Sequence, residues 1–405
     1  INSHADDIIK GRFVSLKAWL SDIKALDVTI ELAETALKLL HDKDLFFVIL
    51  TYLPLSHSYF RAGRLKEGAH ILKNAFHLSQ QLENDFISAI ILHNLLFIYN
   101  EMGMRNEAER LCMQTLNKYI ERFGEDNPII GLLYIPLASL YYEANKLKSA
   151  KEYAEKSLQL CRNLDLNYIL VERAEYTLIL IHIAFGNTDT AYDLLKNLEI
   201  EQDNTTFIPA SEILDIFEVE IALKSGNIKK VNDWVELNNL AAIKGEIKTY
   251  KKEFLTYSRY LMVEKKYREV ENLLTQLARC LENEERYRIL LVVYILLSLV
   301  FKAQNKDEKS TTALIQAVKI AKKGKYIRAF FNEEKDIINL LSKIKKSSPA
   351  FISNIIKESR RFLKITEEDF KELDDIETLS KREREILSLI SHGYSNRDIA
   401  DKLFI

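Results

Sequence analysis

Leu140-Tyr-Tyr-Glu-Ala-Asn-Lys-Leu-Lys-Ser-Ala150 holds the unit from which most of this chain is built. Asn145 stands where one apolar-striped segment stops and another starts, and Asn, like Gly, accepts the left-handed backbone that ends a helix. Tyr141, four residues earlier, is bulky, and Ala150, five residues later, is small enough for a second helix to cross closely over the first. The same punctuation recurs at Gly63, Gly103, Gly186, Gly226, Lys265 and Asn305, so that successive sites are 40, 42, 41, 40, 39 and 40 residues apart. The bulky position is filled by Tyr59, Tyr99, Tyr141, His182, Leu261 and Phe301, with Ala222 as the exception. The small or β-branched position is filled by Gly68, Ala108, Ala150, Ala191, Val231, Val270 and Ser310. A fainter copy centres near Ile23, ahead of the amphipathic stretch Leu26 to Leu40.

A repeat of this kind predicts an all-α chain. Each helical hairpin leaves one face unburied, so neighbours must stack into a right-handed α-solenoid. The period exceeds the about 34 residues of a tetratricopeptide repeat, so the helices should be about a turn longer. Only 5 Pro and 11 Gly in 405 residues agree with long uninterrupted helices. A net charge of −2 leaves no overall basic field to hold nucleic acid. Cys112, Cys161 and Cys280 are too few and too widely spaced for a disulfide framework or a zinc site, and read as buried structural thiols in a reducing cytosol. The most apolar run, Ile289 to Val300, is too short to span a bilayer and is interrupted by Tyr294 and Ser298, and no signal peptide precedes it.

The last 27 residues, from Leu379, follow a different logic. Ser380-Lys-Arg382-Glu383 is a capping box, in which the Ser380 hydroxyl accepts the Glu383 N–H and the carboxylate reaches back. Arg384 follows, then the apolar stripe Ile386, Leu387, Leu389, Ile390, and Gly393 as a helix stop. Ser395-Asn396-Arg397-Asp398 opens a second box, and Tyr394 and Ile399 are placed for a hydrophobic staple. Ile399, Ala400 and Leu403 give this second helix a buried face. Two capped helices on a glycine turn describe the front of a helix-turn-helix. Five basic and four acidic residues nearly cancel here, so the inference rests on motif shape and not on charge.

This segment resembles the LuxR-type helix-turn-helix of bacterial transcription regulators. The resemblance implies that Arg397 and the N–H groups at the start of the second helix touch phosphate. It assigns base reading to a third helix that this sequence does not contain. The resemblance widens upstream. Leu140 to Ala150, Ser225-Gly-Asn-Ile-Lys-Lys-Val-Asn-Asp-Trp234 and Gly324-Lys-Tyr-Ile-Arg-Ala-Phe-Phe-Asn-Glu-Glu334, followed by Leu340-Leu341, are similar to elements of MalT-like regulators. Ala144 stands where that family usually has Arg, and Glu334 where it usually has Gly. The resemblance implies a repeat domain over 1–341, a linker over 342–378 and the first half of the helix-turn-helix over 379–405. It further implies an inducer (a sugar in the type example) or a protein partner on the repeat, DNA and RNA polymerase as partners, and homo-oligomers in the cytoplasm. ATP would belong to a switch domain that such proteins carry ahead of the repeat. The chain begins at Ile1 and stops within the motif, so both ends are expected to be cut.

Within the linker, Lys343 to Pro349 reads as a break and Phe351 to Leu363 as one amphipathic helix. Glu367, Glu368, Asp369, Glu372, Asp374, Asp375 and Glu377 then form an acidic run, either a solvated linker or an electrostatic decoy for the DNA module. No catalytic signature occurs: Gly63-Arg-Leu-Lys-Glu-Gly68 has phosphate-loop glycine spacing without the following Lys-Ser/Thr, and His70 and His77 lie two helical turns apart. No metal, cofactor or enzyme activity is expected of this chain, nor any membrane. Tyr99, Glu101, Tyr142, Glu143, Arg173 and Tyr176 are the candidate effector groove, because aromatics beside carboxylates and an Arg suit sugar stacking or peptide clasping. The alternative is that these Tyr residues pack between repeats, in a tetratricopeptide-type interaction scaffold with no DNA role.

Overall fold

The computed structural model describes residues 2–21, 25–40, 44–161, 168–203, 211–240, 251–333 and 336–362. Among these, every regular element is a helix. Paired hairpins run α1 (Asn2–Leu20) and α2 (Leu26–Leu40), α3 (Leu45–Arg61) and α4 (Leu65–Gln81), α5 (Asp85–Glu101) and α6 (Arg105–Phe123), α7 (Pro128–Glu143) and α8 (Leu147–Cys161). They continue through α9 (Tyr168–Phe185) and α10 (Thr188–Asp203), α11 (Ser211–Ser225) and α12 (Ile228–Leu237), α13 (Lys251–Val263) and α14 (Tyr267–Asn283), α15 (Tyr287–Ala303) and α16 (Asp307–Gly324). Short helices α17 (Ala329–Asn332) and α18 (Asp336–Lys343), a 3₁₀ turn at Lys345–Ser347 and α19 (Pro349–Phe362) follow. The array is the expected α-solenoid.

Every predicted turn residue adopts positive φ: Gly63, Gly103, Asn145, Gly186, Gly226, Lys265 and Asn305 lie between 57° and 80°. Each closes the same pair of bonds. In the Asn145 copy, Asn145 N–H donates to the Tyr142 carbonyl at 2.9 Å and Lys146 N–H to the Tyr141 carbonyl at 2.9 Å, a Schellman motif. The recurring bulky residue therefore supplies the carbonyl that stops its helix, as Tyr59, Tyr99, His182, Ala222, Leu261 and Phe301 also do. The small residue five positions on is buried in every copy, from Gly68 to Ser310. A Cβ on Gly68 would stand 3.2 Å from Ile98 Cδ1 and 3.3 Å from the Ser56 carbonyl, which measures how closely the helices cross.

Neighbouring hairpins share a continuous apolar interior, as stacked repeats must. One cluster runs from Ile49 through Leu72, Leu92 and Leu95 to Leu133 and Leu137. Another joins Val219, Trp234 and Phe254 to Leu277, Val293 and Val300. The apolar run at Ile289–Val300 is thus buried core, and no helix among the described residues is long and apolar enough to cross a membrane. Cys112 and Cys161 are buried as expected, but Cys280 is only half-buried, because it sits near the end of α14 where its thiol meets Glu284.

Contacts divide the chain into Ile1–Ser353 and Asn354–Ile405, and of the second unit only residues to Phe362 are described. The linker break and the amphipathic helix after it appear as the 3₁₀ turn and α19. The acidic run, Ile23 and all of 379–405 lie outside the described residues.

Candidate functional site

The first helices of the hairpins end in series on the inner side of the solenoid. Glu101 and Glu143 occupy equivalent places, each two residues before its turn residue. Arg288, at the start of α15, inserts between them. Its Nε and Nη2 donate to Glu101 Oε1 at 2.6 and 2.5 Å, and its Nη1 donates to Glu143 Oε1 at 3.1 Å. One guanidinium therefore joins two earlier repeats, 187 and 145 residues upstream.

The two carboxyls respond in opposite directions. Burial pushes the Glu101 carboxyl up, but Arg288, Arg286 and Lys252 outweigh it and hold the group below the usual range. Burial of Glu143 outweighs the same arginine, and the nearby Glu101 charge adds to it, so the Glu143 carboxyl is raised. Glu101 is 2% exposed, and its Oε2 has no hydrogen-bond partner among the described residues.

The segment after α16 completes this junction. Helix ends leave carbonyls with spare acceptor capacity, and the Gly324–Glu333 segment adds donors at the ends of α5 and α7. Tyr326 donates its hydroxyl to the Asn100 carbonyl at 2.7 Å. The Ile327 and Arg328 N–H groups donate to the Glu143 carbonyl at 3.0 and 3.1 Å. Buried Arg105 donates to the carbonyls of Gly324 (2.7 Å) and Leu140 (3.1 Å), tying α6 to both. Arg328 reaches Asn332 Oδ1 at 2.7 Å and Asn145 Oδ1 at 3.2 Å, and its guanidinium lies over the Tyr142 ring. Arg259 binds Glu333 at 2.6 Å and Glu220 at 3.2 Å, bringing α11 and α13 to the same segment.

The α14–α15 turn seals the other side. Lys66 pairs with Glu285 at 2.6 Å, and Arg286 donates to the Phe60 carbonyl. Gly103 faces Tyr287 so closely that a Cβ there would stand 3.0 Å from the Tyr287 Cβ. The late hairpins thus pack against the early ones across the solenoid interior.

The structure divides the candidate groove residues. Glu101 and Glu143 come together on Arg288. Tyr142 is buried beneath Arg328, and Tyr99 is buried in the core. Tyr176 stacks on Phe217 with ring centroids 5.2 Å apart, packing between repeats. Arg173 lies elsewhere on the inner wall, where it meets His93 Nε2 at 2.5 Å and sits 4.9 Å over the Phe97 ring. Sequence reading misses Arg105, Arg259 and Arg288, because nothing in one sequence marks which acid a helical arginine will meet. Tyr326 and Arg328 are visible within the Gly324–Glu334 box, though not as residues that cap α5 and α7. Ser380, Arg382, Glu383, Arg384, Gly393, Ser395, Asn396, Arg397, Ile399 and Ala400 lie outside the described residues. Among the described residues no cluster of His, Cys, Asp or Glu could hold a metal ion.

The sequence matches two family patterns in succession. The family described as "MalT-like TPR region" matches residues 22–347, and "Bacterial regulatory proteins, luxR family" matches residues 377–405. The oxygen regulatory protein NreC of Staphylococcus epidermidis is 40% identical over 60 residues, 15% of this chain. This chain spans only 25% of that relative's length. Among solved structures, a Rap protein complexed with Competence and Sporulation Factor gives a TM-score of 0.51 at 13% identity, covering 75% of this chain and 87% of its own. The Rap conjugation gene regulator of plasmid pLS20, in complex with the Phr* peptide, gives 0.51 at 13% identity, covering 80% and 95%. At that identity the likeness concerns the fold.

Proposed function

Because this chain belongs to the MalT-like TPR family and carries a luxR-family segment at its C-terminal end, we propose that it is the sensing and DNA-binding portion of a LuxR-type transcription regulator. The observation that carries the reading is the order of the two family segments on one chain. A solenoid of stacked hairpins comes first and a DNA-binding module second. The solenoid binds an inducer or partner, and the luxR-family module binds promoter DNA. Peptide is a natural inducer class, since both Rap neighbours are complexes with a peptide or signalling factor; a sugar is the other. The protein acts in the cytoplasm, without catalysis, and contacts RNA polymerase as an oligomer on DNA. Any ATP control would reside in a segment outside this sequence.

In this reading the Arg288 bridge is the two-state element. It closes the late hairpins on the early ones, and an effector that favours the closed or the opened form shifts the population between them. The coupling is only as large as the difference in affinity between the two forms.

The reading is tested by selecting genomic fragments with the full-length protein and measuring their affinity at physiological salt. Sequence-selective binding that changes with an effector is the expected result. Binding no tighter to the selected fragments than to random DNA would overturn it and favour an interaction scaffold.

A further inference from the structure

Pairing of the surface lysines stops partway along the last hairpin. Lys302 binds Asp307 at 2.8 Å, and Lys306 and Lys309 meet Glu271 at 2.6 and 3.9 Å. Beyond them Lys319, Lys322, Lys323 and Lys325 are exposed, as are Lys343, Lys345 and Lys346 on α18 and the 3₁₀ turn. None of these ammonium groups makes a hydrogen bond or ion pair among the described residues. Lys319, Lys322 and Lys323 are three and four residues apart, so they share one side of α16. That side is opposite the buried Ala317, Val318, Ala321 and Gly324. α18 packs against α15 and α16, so its lysines belong to the same end of the array. From Lys319 to Lys346 the sequence holds nine basic against three acidic residues, in a chain whose net charge is −2. Among the described residues from Asp307 to Lys346 no large apolar side chain is exposed, which leaves no wedge for a lipid surface.

We propose that these unpaired lysines of the last hairpin and the elements after it hold the phosphate backbone of the DNA that the luxR-family module binds. This rests on the reading of the chain as a DNA-binding regulator and gives the solenoid a direct, sequence-independent share of the affinity. Lysines are point charges, suited to follow a row of phosphates without reading bases. Each one that neutralises a phosphate releases condensed counterions, and the duplex relieves the repulsion among the lysines. Residues 347–376 are all that separate Lys346 from the luxR-family segment at 377–405. DNA held by that segment is therefore presented to the lysines at high effective concentration.

The test is a salt titration of the full-length protein on a selected genomic fragment and on a random duplex of equal length. Each lost phosphate contact lowers the slope of log affinity against log salt by about one. The triple variant Lys319→Gln, Lys322→Gln, Lys323→Gln is therefore expected to lower it by about two to three on both duplexes. The ratio of the two affinities should not change, because phosphate contacts carry no sequence information. Replacing the same three lysines by Arg should restore the slope. The triple Lys38→Gln, Lys73→Gln, Lys118→Gln, on exposed positions of α2, α4 and α6, should leave it as it is. Melting temperatures should match throughout, since Gln and Lys have similar helix propensity. An unchanged slope in the first triple, an equal fall in the second, or no binding of the random duplex at low salt would each overturn the proposal. So would tighter binding to mixed phosphatidylcholine and phosphatidylserine vesicles than to the random duplex. Equal affinity for both duplexes, with the slope still falling in the first triple alone, would count against the regulator reading and leave the phosphate contact standing.

Discussion

Arg288 Nη2 sits 2.5 Å from Glu101 Oε1, although 187 residues of chain separate the two. The contact joins α15 to α5, so it reports the curvature of the repeats between them. Removing the arginine strands a carboxylate that is 2% exposed. Arg288→Met is expected to cost about 3 kcal/mol, the penalty for a buried charge left unpaired. It should also expand the protein in small-angle scattering. Arg288→Lys should recover only part of the loss, because a single ammonium cannot serve both acids as a fork does. An unchanged urea midpoint for Arg288→Met would show that the junction is open in solution.

Glu101 and Glu143 share that arginine but should answer opposite tests. The Glu101 carboxyl is lowered on folding, so its contribution is present above the ordinary carboxylate range and is lost as pH falls through its folded value. The Glu143 carboxyl is raised, so its contribution is present at low pH and is lost as pH rises through its folded value. At neutral pH, Glu101→Gln is therefore expected to destabilise. Glu143→Gln keeps an acceptor for Arg288 and removes an unfavourable charge, so it should be neutral or stabilising. Urea midpoints across the acid-to-neutral range check this, and equal losses in both variants would contradict it.

Tyr326 is fully buried, and its hydroxyl donates to the Asn100 carbonyl at the end of α5. Tyr326→Phe keeps the ring and removes the donor. The Asn100 carbonyl keeps the Gly103 N–H at 3.1 Å, so losing the second, buried bond should cost about 1 kcal/mol, and hydrogen exchange should quicken at the end of α5 before the rest of the array. If exchange there matches the parent protein, the segment after α16 does not cap that helix.

The fold is legible because its determinants are local. Gly or Asn at a left-handed turn, a helix-ending carbonyl four residues before it and a small residue five after all sit within ten residues of one another. Even Lys265, an unpromising residue for that backbone, is placed by the period alone, and its φ is 57°. The turns after the second helices are legible only in part: Gly124 and Asn239 take positive φ with a residue type that favours it, whereas Glu83, Glu285 and Lys325 do so without one. The candidate site is legible only in part. Glu101 and Glu143 stand out as carboxylates at equivalent repeat positions, whereas their partner comes from a hairpin far along the chain. Tyr99, Tyr142 and Tyr176 draw attention as aromatics, and packing absorbs them.

The glycine turns separate what the local backbone requires from what the closure of the array requires. Gly186 has φ of 76°, and no atom lies within 4 Å of where its Cβ would stand, so Gly186→Ala meets only the left-handed backbone. That conformation costs an L-residue about 1 kcal/mol. Gly103 has nearly the same φ, 75°, but a Cβ there stands 3.0 Å from the Tyr287 Cβ across the solenoid interior. The Tyr287 Cβ is fixed to its backbone and cannot swing aside, so relief demands movement of the α14–α15 turn. Gly103→Ala should therefore cost about 1 kcal/mol more than Gly186→Ala, as overpacking does. Arg288→Met, by loosening that turn, should shrink the difference. Equal costs for the two glycine variants in the parent protein would mean that the α14–α15 turn does not rest on Gly103.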